Sequence, residues 1–454
     1  MNSPELLIRG GTVIPGDGQN QWDNYDVVVD QGVILEVGPH EPQRQARRVM
    51  DARATCVLPG IINGHAHGCS TGPLFSSGAA PLDLAQALRN ADRQLREGVT
   101  TLINVDGLPL MEEIAAVARH HPMRILAATS HLPATFLAAR SVDGAGLLPE
   151  HLATTALAML DRGAVALGEM GSGATLGGGV SSYRYLPEAV ERATGLRIEP
   201  NQATLLKRAV LGSQGDPSAC DLDRLAAVLE ELGLQGRLSV EKARDMVLEI
   251  AYRPVEQSLL SFDEACELSA QARIPVVFHT APPSIKRLLE LGRRYQGSGA
   301  ILVAGHCNHP DFLPQESVAA ARACRDLGII VDVSTIDGVS TRRMTDCDNL
   351  LLLVREGLAD TISTDYGGGG WDSMLEGLQL LVSQKLLSLP QAVALATSAP
   401  ARVFPLAAGQ RGRVEPGLVA DLVVTERYNL GRVRSVIVGG RVVIDEGFRE
   451  RETA

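Results

Sequence analysis

Hydrophobic and polar positions follow two rhythms along this chain. At the N-terminal end, short Val/Ile-rich runs are cut by Gly, Pro and Asp, as in "LLIRGGTVIPGDG", "DVVVDQGVILEVG" and "RVMDARATCVLPG". This punctuation predicts antiparallel strands joined by hairpin turns. The C-terminal end repeats it in "GRVEPGLVADLVVTE" and "VRSVIVGGRVVIDEG". Neither end alone has enough strands to bury a core, so the two are expected to share one small β-sandwich.

Between the ends the alternation disappears. Continuous apolar runs recur in "GIINGHAH", "TTLINVDG", "RILAATSHL", "AVALGEMG", "IPVVFHT", "ILVAGHCNH", "IIVDVSTID" and "TISTDYGGG". Helix-like segments such as "DLAQALRNADRQLREG" separate them. Apolar runs of this kind suit parallel strands buried on both faces. Eight in a βα rhythm point to an α/β protein built on a closed (β/α)8 barrel. A doubly wound open sheet is the competing architecture. Residues 171–257 are too long for an ordinary βα connection and read as a helical insertion after the fourth strand, serving as a lid or an oligomer contact. The expected layout is a first sandwich part at 1–58, the barrel at 59–404 and a second sandwich part at 405–454.

Composition narrows the partners. The chain has 454 residues and a net charge of −11, with no long basic run, which argues against nucleic acid. Its seven cysteines are scattered and include no CxxC pair, so a disulfide framework is not expected. The N-terminus lacks a basic stretch followed by an apolar core, and no apolar run reaches the roughly 18 residues of a membrane span. A cytoplasmic protein with a small-molecule substrate, no membrane partner and self-association is the expectation.

Barrels of this type carry their chemistry at the C-terminal strand ends. The ionisable residues there are His65 and His67 (strand 1), Glu169 (strand 4), His279 (strand 5), His306 (strand 6) and Asp365 (strand 8). Each has a bland reading, as a packed histidine or a turn carboxylate. Agreement across five strand ends favours a common purpose. Imidazole and carboxylate without clustered thiolate suit Zn²⁺, Fe²⁺, Mn²⁺ or Ni²⁺. A carboxylate between two histidine sets can bridge two cations, and coordination lowers the pKa of water from 15.7 to about 7. Asp365 then suits proton transfer to a leaving nitrogen.

These residues carry a resemblance. The "GHAH" of strand 1, the histidines of strands 5 and 6, the "STDYG" aspartate and the closing "ATSAPARVFPL…GRVEPGLVADLVV" resemble the amidohydrolase superfamily over nearly the whole chain. The resemblance implies a binuclear metal-dependent hydrolase of C–N bonds. It puts His65, His67 and Asp365 on one metal and His279 and His306 on the other, with a strand-4 residue bridging. Zinc is the first expectation. The commonest pattern has a carboxylated lysine on strand 4. Here "ALGEMGSG" offers Glu169, whose shorter stem requires the metals to sit nearer strand 4 or the backbone to shift. The glutamate is similar to that of an enamidase-like branch acting on a cyclic amide, imide or enamide. An adenine-deaminase-like ring deaminase and an N-acyl amino acid hydrolase are the alternatives, and a non-catalytic scaffold is disfavoured because every expected position holds a ligand type.

Other residues are read two ways. His131 is a carbonyl-polarising catalytic group or a packed core histidine. His309 is a substrate contact, an outer partner or a ligand in place of His306. Cys69 is a thiolate ligand or a small buried residue. Arg342 and Arg343 are carboxylate binders or solvated charges. Trp371, after the glycines from Gly367, is positioned to cover a ring. Tyr183 and Arg184 reach the site if the insertion folds over it.

Overall fold

A computed structural model describes residues 3–176, 181–212, 215–342, 346–366 and 371–445. Arg343 and the glycines from Gly367 to Gly370 lie outside these residues, as does the side chain of Tyr183.

All eight apolar runs form the barrel, and the open-sheet alternative is excluded. Five strands precede the barrel in the chain: β1 (Leu6–Val13), β2 (Trp22–Asp30), β3 (Val33–Pro39), β4 (Arg48–Asp51) and β5 (Thr55–Pro59). The barrel strands are β6 (Ile61–Ala66), β7 (Val99–Asn104), β8 (Arg124–Thr129), β9 (Ala166–Met170), β10 (Pro275–His279), β11 (Ile301–Gly305), β12 (Ile330–Ser334) and β13 (Thr361–Ser363). They pair in chain order and in parallel. The ring closes where Asp365 N–H donates to the His65 carbonyl at 3.0 Å and His67 N–H donates to the Tyr366 carbonyl at 2.8 Å. Every residue of β6, β7, β9 and β10 is buried, which is why these runs lack alternation. Inside, Ile103, Ala128, Ala166, Val277 and Val303 pack with Phe404, which fills the lower end.

The two chain ends share one mixed eight-stranded sheet. Strands β14 (Leu422–Glu426), β15 (Asn429–Val438) and β16 (Arg441–Asp445) extend it in the order β16-β15-β14-β5-β1-β2-β3, with β4 beside β1. The sheet curls around a core that includes Ile8, Val27, Ile34, Val57 and Leu422, and Val33 bridges back to Val419. The hairpin expectation needs one amendment, because β1 pairs in parallel with both β4 and β5.

Among the described residues, the α-helices Leu186–Thr194, Pro200–Leu211, Leu222–Glu231 and Val240–Val247 follow β9. They pack around their own core of Leu186, Leu206, Leu225, Val247 and neighbours. The barrel's helical layer resumes at Arg253, before residue 257, because the helix Arg253–Ala272 packs on Pro133–Val142 and on β9 and β10. Among the described residues, no helix is long and apolar enough to cross a membrane.

Candidate metal centre

Alternation alone would not aim the six candidate ligands at one point. On β10 it does: Val277 faces the barrel interior, so His279, two residues on, faces it too. On β9 the same rule puts Ala166 and Gly168 inside and Glu169 outside. The pairing shows how this is reversed. Val276 pairs with Leu167 and Phe278 with Met170, so β9 uses three residues where β10 uses two. The extra residue is a bulge at Gly168–Glu169, and a bulge re-aims the side chain beside it. Gly168 suits the distortion: its φ is +119°, and a Cβ there would lie 2.5 Å from the Val277 carbonyl oxygen. The bulge therefore turns the Glu169 carboxylate into the barrel mouth. A second bulge lies at Gly64–His65, where Asn63 pairs with Leu102 and Ala66 with Asn104.

The result is a buried cluster. Glu169 Oε1 lies 2.8 Å from His306 Nε2, 3.0 Å from His279 Nδ1 and 3.5 Å from His65 Nε2. Its Oε2 lies 3.6 Å from His67 Nε2. Asp365 Oδ1 stands 3.3 Å from His65 Nε2 and 3.6 Å from His67 Nε2. Three overlapping trios could each hold a metal ion: His65 with His67 and Glu169, Glu169 with His279 and His306, and His65 with His306 and Asp365.

Donor chemistry supports a cation. Ligands about 2.0–2.1 Å from a tetrahedral zinc stand roughly 3.3 Å from one another, and the separations above scatter around that value. His65 is buried, yet neither of its ring nitrogens has a hydrogen-bond partner. Such orphaned polar atoms need an explanation. Burial disfavours charge on every group here. At His65 burial wins over Glu169 and Asp365, and the ring is pulled down to about 4. At His67 the carboxylates of Asp106 and Asp365 overcome burial and lift it to about 10. At His306, Asp365 and Glu169 overcome burial and lift it to about 9. Burial also opposes ionisation of Glu169 and Asp365, but the imidazoles hold both carboxyls well below the usual range. Protons retained only because two carboxylates face them are protons that a divalent cation can replace.

One buried carboxylate was missed from sequence. Asp106 Oδ1 lies 3.0 Å from His67 Nδ1, and the two carboxylate oxygens accept N–H bonds from Gly68 at 3.0 Å and Phe75 at 3.1 Å. It orients His67 from behind, as outer carboxylates do for metal-binding histidines. The signal was present, since "NVDG" closes the second barrel run with an acid. Asp332 on β12 was missed too. It accepts hydrogen bonds from Thr361 and Ser363 at 2.7 Å each, and burial lifts its carboxyl to about 6.

The weaker candidates separate. His309 stands beside the cluster, its ring centre 5.5 Å from those of His279 and His306. Arg184 and Tyr185 line the mouth cavity, and Arg184 is paired with Glu188 at 3.2 Å. His131 is buried beside Thr129 and Phe136, outside the ligand trios and the cavities at the cluster. Cys69 is buried outside the trios, and burial pushes its thiol far up, so thiolate ligation is unsupported. Arg342 is turned back on its own loop, donating to the Val339 carbonyl at 3.0 Å. Trp371 does not cover the site. It is buried, its indole N–H donates to Glu97 at 2.8 Å, and Arg93 stacks on it at 3.8 Å, because the last turn of the helix Leu84–Arg96 and its cap Glu97 present a cation for the ring face and an acceptor for the indole N–H.

Fold and site together describe a (β/α)8 barrel with a histidine–carboxylate cluster at the C-terminal mouth. Residues 56–443 match the amidohydrolase family, and the chain belongs to it. Among characterised relatives, the adenine deaminase of Bacillus subtilis is 30% identical over 129 residues, which is 27% of this chain and 19% of that enzyme. The β-aspartyl dipeptidase of Fervidobacterium islandicum AW-1 superposes with a TM-score of 0.55 at 16% identity, covering 98% of each chain. The N-acyl-D-glutamate deacylase of Bordetella bronchiseptica, solved with zinc and a phosphonate inhibitor, superposes with a TM-score of 0.54 at 16% identity, covering 97% of each chain. At these identities the two structures establish the shared fold.

Proposed function

We propose that this protein is a metal-dependent hydrolase of a C–N bond in a cyclic amide, imide or enamide. The observation that carries the reading is the convergence of His65, His67, Glu169, His279, His306 and Asp365 on a common centre. In this reading His65, His67 and Asp365 would hold one divalent cation and His279 and His306 a second, with Glu169 as a ligand common to both. Zinc is the first choice, with iron, manganese and nickel next. Bound cations supply an acidified water and polarise a carbonyl oxygen.

The chain's own residues do the rest. A cavity of about 560 Å³ opens onto His67, Glu169, His279 and Asp365, a volume suited to a small ring compound. Phe75 lines it and packs on the His67 ring at 4.8 Å between centres, giving the substrate ring an apolar wall. Asp365 is the most exposed of the candidate carboxylates and stays anionic. In this reading it accepts a proton at a carboxylate oxygen and returns it to the departing nitrogen. His67 is held in one orientation by Asp106.

The similarity to adenine deaminase favours one second reading, attack at a ring amidine carbon with loss of ammonia. A screen of lactams, hydantoins, dihydropyrimidines and purines separates the two when ammonia and new carboxylate are measured independently. New carboxylate supports the first reading, and ammonia without carboxylate supports the second. Purified protein should carry transition metal, and Glu169→Ala should lose metal and turnover together. A stable, metal-free, inactive wild-type protein would overturn both.

A further inference from the structure

A second cavity, of about 680 Å³, lies between the insertion and the barrel rim. It shares Gly173 and His279 with the mouth cavity, so a molecule held at the cluster has access to both spaces. The two differ in charge. In the mouth cavity Arg184 is matched by Glu188 at 3.2 Å, and Asp143 adds a negative charge to the wall. Beneath the insertion the wall carries Lys207 and Arg208 from the helix Pro200–Leu211 and Arg224 from the helix Leu222–Glu231. Among the described residues, neither Arg208 nor Arg224 has a carboxylate within ion-pairing distance. The barrel side contributes His279, His309 and two acids, Asp311 and Glu316. Glu316 is engaged as a helix cap, accepting the Leu313 N–H at 3.1 Å. Among the described lining residues, three fixed cations against two carboxylates leave one positive charge, in a chain whose net charge is −11.

We infer that the cavity beneath the insertion is a subsite for a carboxylate of the substrate, held by Lys207, Arg208 and Arg224 while the scissile C–N bond lies at the cluster beside His279. The assignment rests on the hydrolase reading above. A single excess positive charge matches a carboxylate better than a doubly charged phosphate. Lys207 is half-buried, and burial pulls its ammonium below the ordinary range against the attraction of Asp311, so it gains from a second anion. The insertion thereby sets which amide reaches the metals, and the barrel supplies the chemistry.

The test uses the zinc-loaded protein and matched acid and amide twins. Calorimetry with glutarate and glutaramide reads the subsite without turnover. Hydrolysis of hydantoin-5-acetic acid against hydantoin-5-acetamide reads it in kcat/KM. The wild type should favour the acid of each pair by about 10- to 100-fold, as expected for hydrogen bonds to charged groups. K207M/R208M should erase that preference, and the charge-conserving K207R/R208K should retain it. Equal affinity for glutarate and glutaramide, survival of the preference in K207M/R208M, or tighter binding of inorganic phosphate than of glutarate would overturn the subsite. If no C–N compound is hydrolysed yet the glutarate preference is present and lost in K207M/R208M, the hydrolase reading has failed and the subsite stands.

Discussion

Asp106 offers the sharpest test of how the site is built, because it touches no candidate reacting group. It is fully buried, and its oxygens satisfy His67 and the backbone N–H groups of Gly68 and Phe75. Asp106→Asn keeps the shape and one acceptor oxygen but replaces the other with a donor. Gly68 N–H then faces an amide nitrogen, and a buried donor left unsatisfied costs about 1–3 kcal/mol. His67 also loses the nearest of the carboxylates that lift it. Outer carboxylates behind metal-binding histidines contribute roughly 10–100-fold in metal affinity or activity. The expected phenotype is therefore a folded protein, about 1–3 kcal/mol less stable in denaturant melts, with cation affinity reduced about 10–100-fold. Chelator competition on the purified protein, followed by elemental analysis, measures the second quantity independently of any substrate. Asp106→Ala should cost more stability, because it leaves both backbone donors without a partner. Wild-type cation affinity in Asp106→Asn would refute the argument that His67 is held as a ligand from behind.

Two further outcomes follow from the same geometry. Gly168→Ala places a Cβ 2.5 Å from the Val277 oxygen at φ +119°. Backbone strain of this kind costs about 1–3 kcal/mol before the clash is counted, so the variant should melt lower and lose metal content; a wild-type melt with full metal would show that Glu169 does not need the bulge. His131 is buried, and burial together with the neighbouring His151 depresses it to about 4. The unfolded chain takes up that proton near pH 6.5 while the folded chain does not, so the contribution is fully present above about 6.5 and is lost as pH falls towards 4. Denaturant melts at pH 7.5 and pH 5 should show a shallower acid loss in His131→Gln, by about 2 kcal/mol, and an unchanged slope would mean that His131 is not titrating from a buried, uncharged state.

Much of the site was legible because strand ends are local. His65, His67 and His279 stand at the ends of continuous apolar runs, and in a parallel barrel such ends gather at one mouth. Asp106 was legible by the same rule and was passed over. Trp371 was misjudged, because a glycine run followed by an aromatic says nothing about which neighbour the aromatic meets. Its place was decided by Glu97 and Arg93, remote in the chain.

By itself the sequence determined the eightfold βα rhythm, the shared sheet of the two ends and the residue types available at the mouth, since periodicity and side-chain chemistry are properties of neighbouring residues. Only the tertiary structure decided that Glu169 turns inward. That depends on how many residues β9 uses against β10, a register between segments more than a hundred residues apart. It also decided that three cations of the insertion face the same side of the barrel as His279, because the folding of the insertion's helices around their own core chooses which of their faces meets the rim.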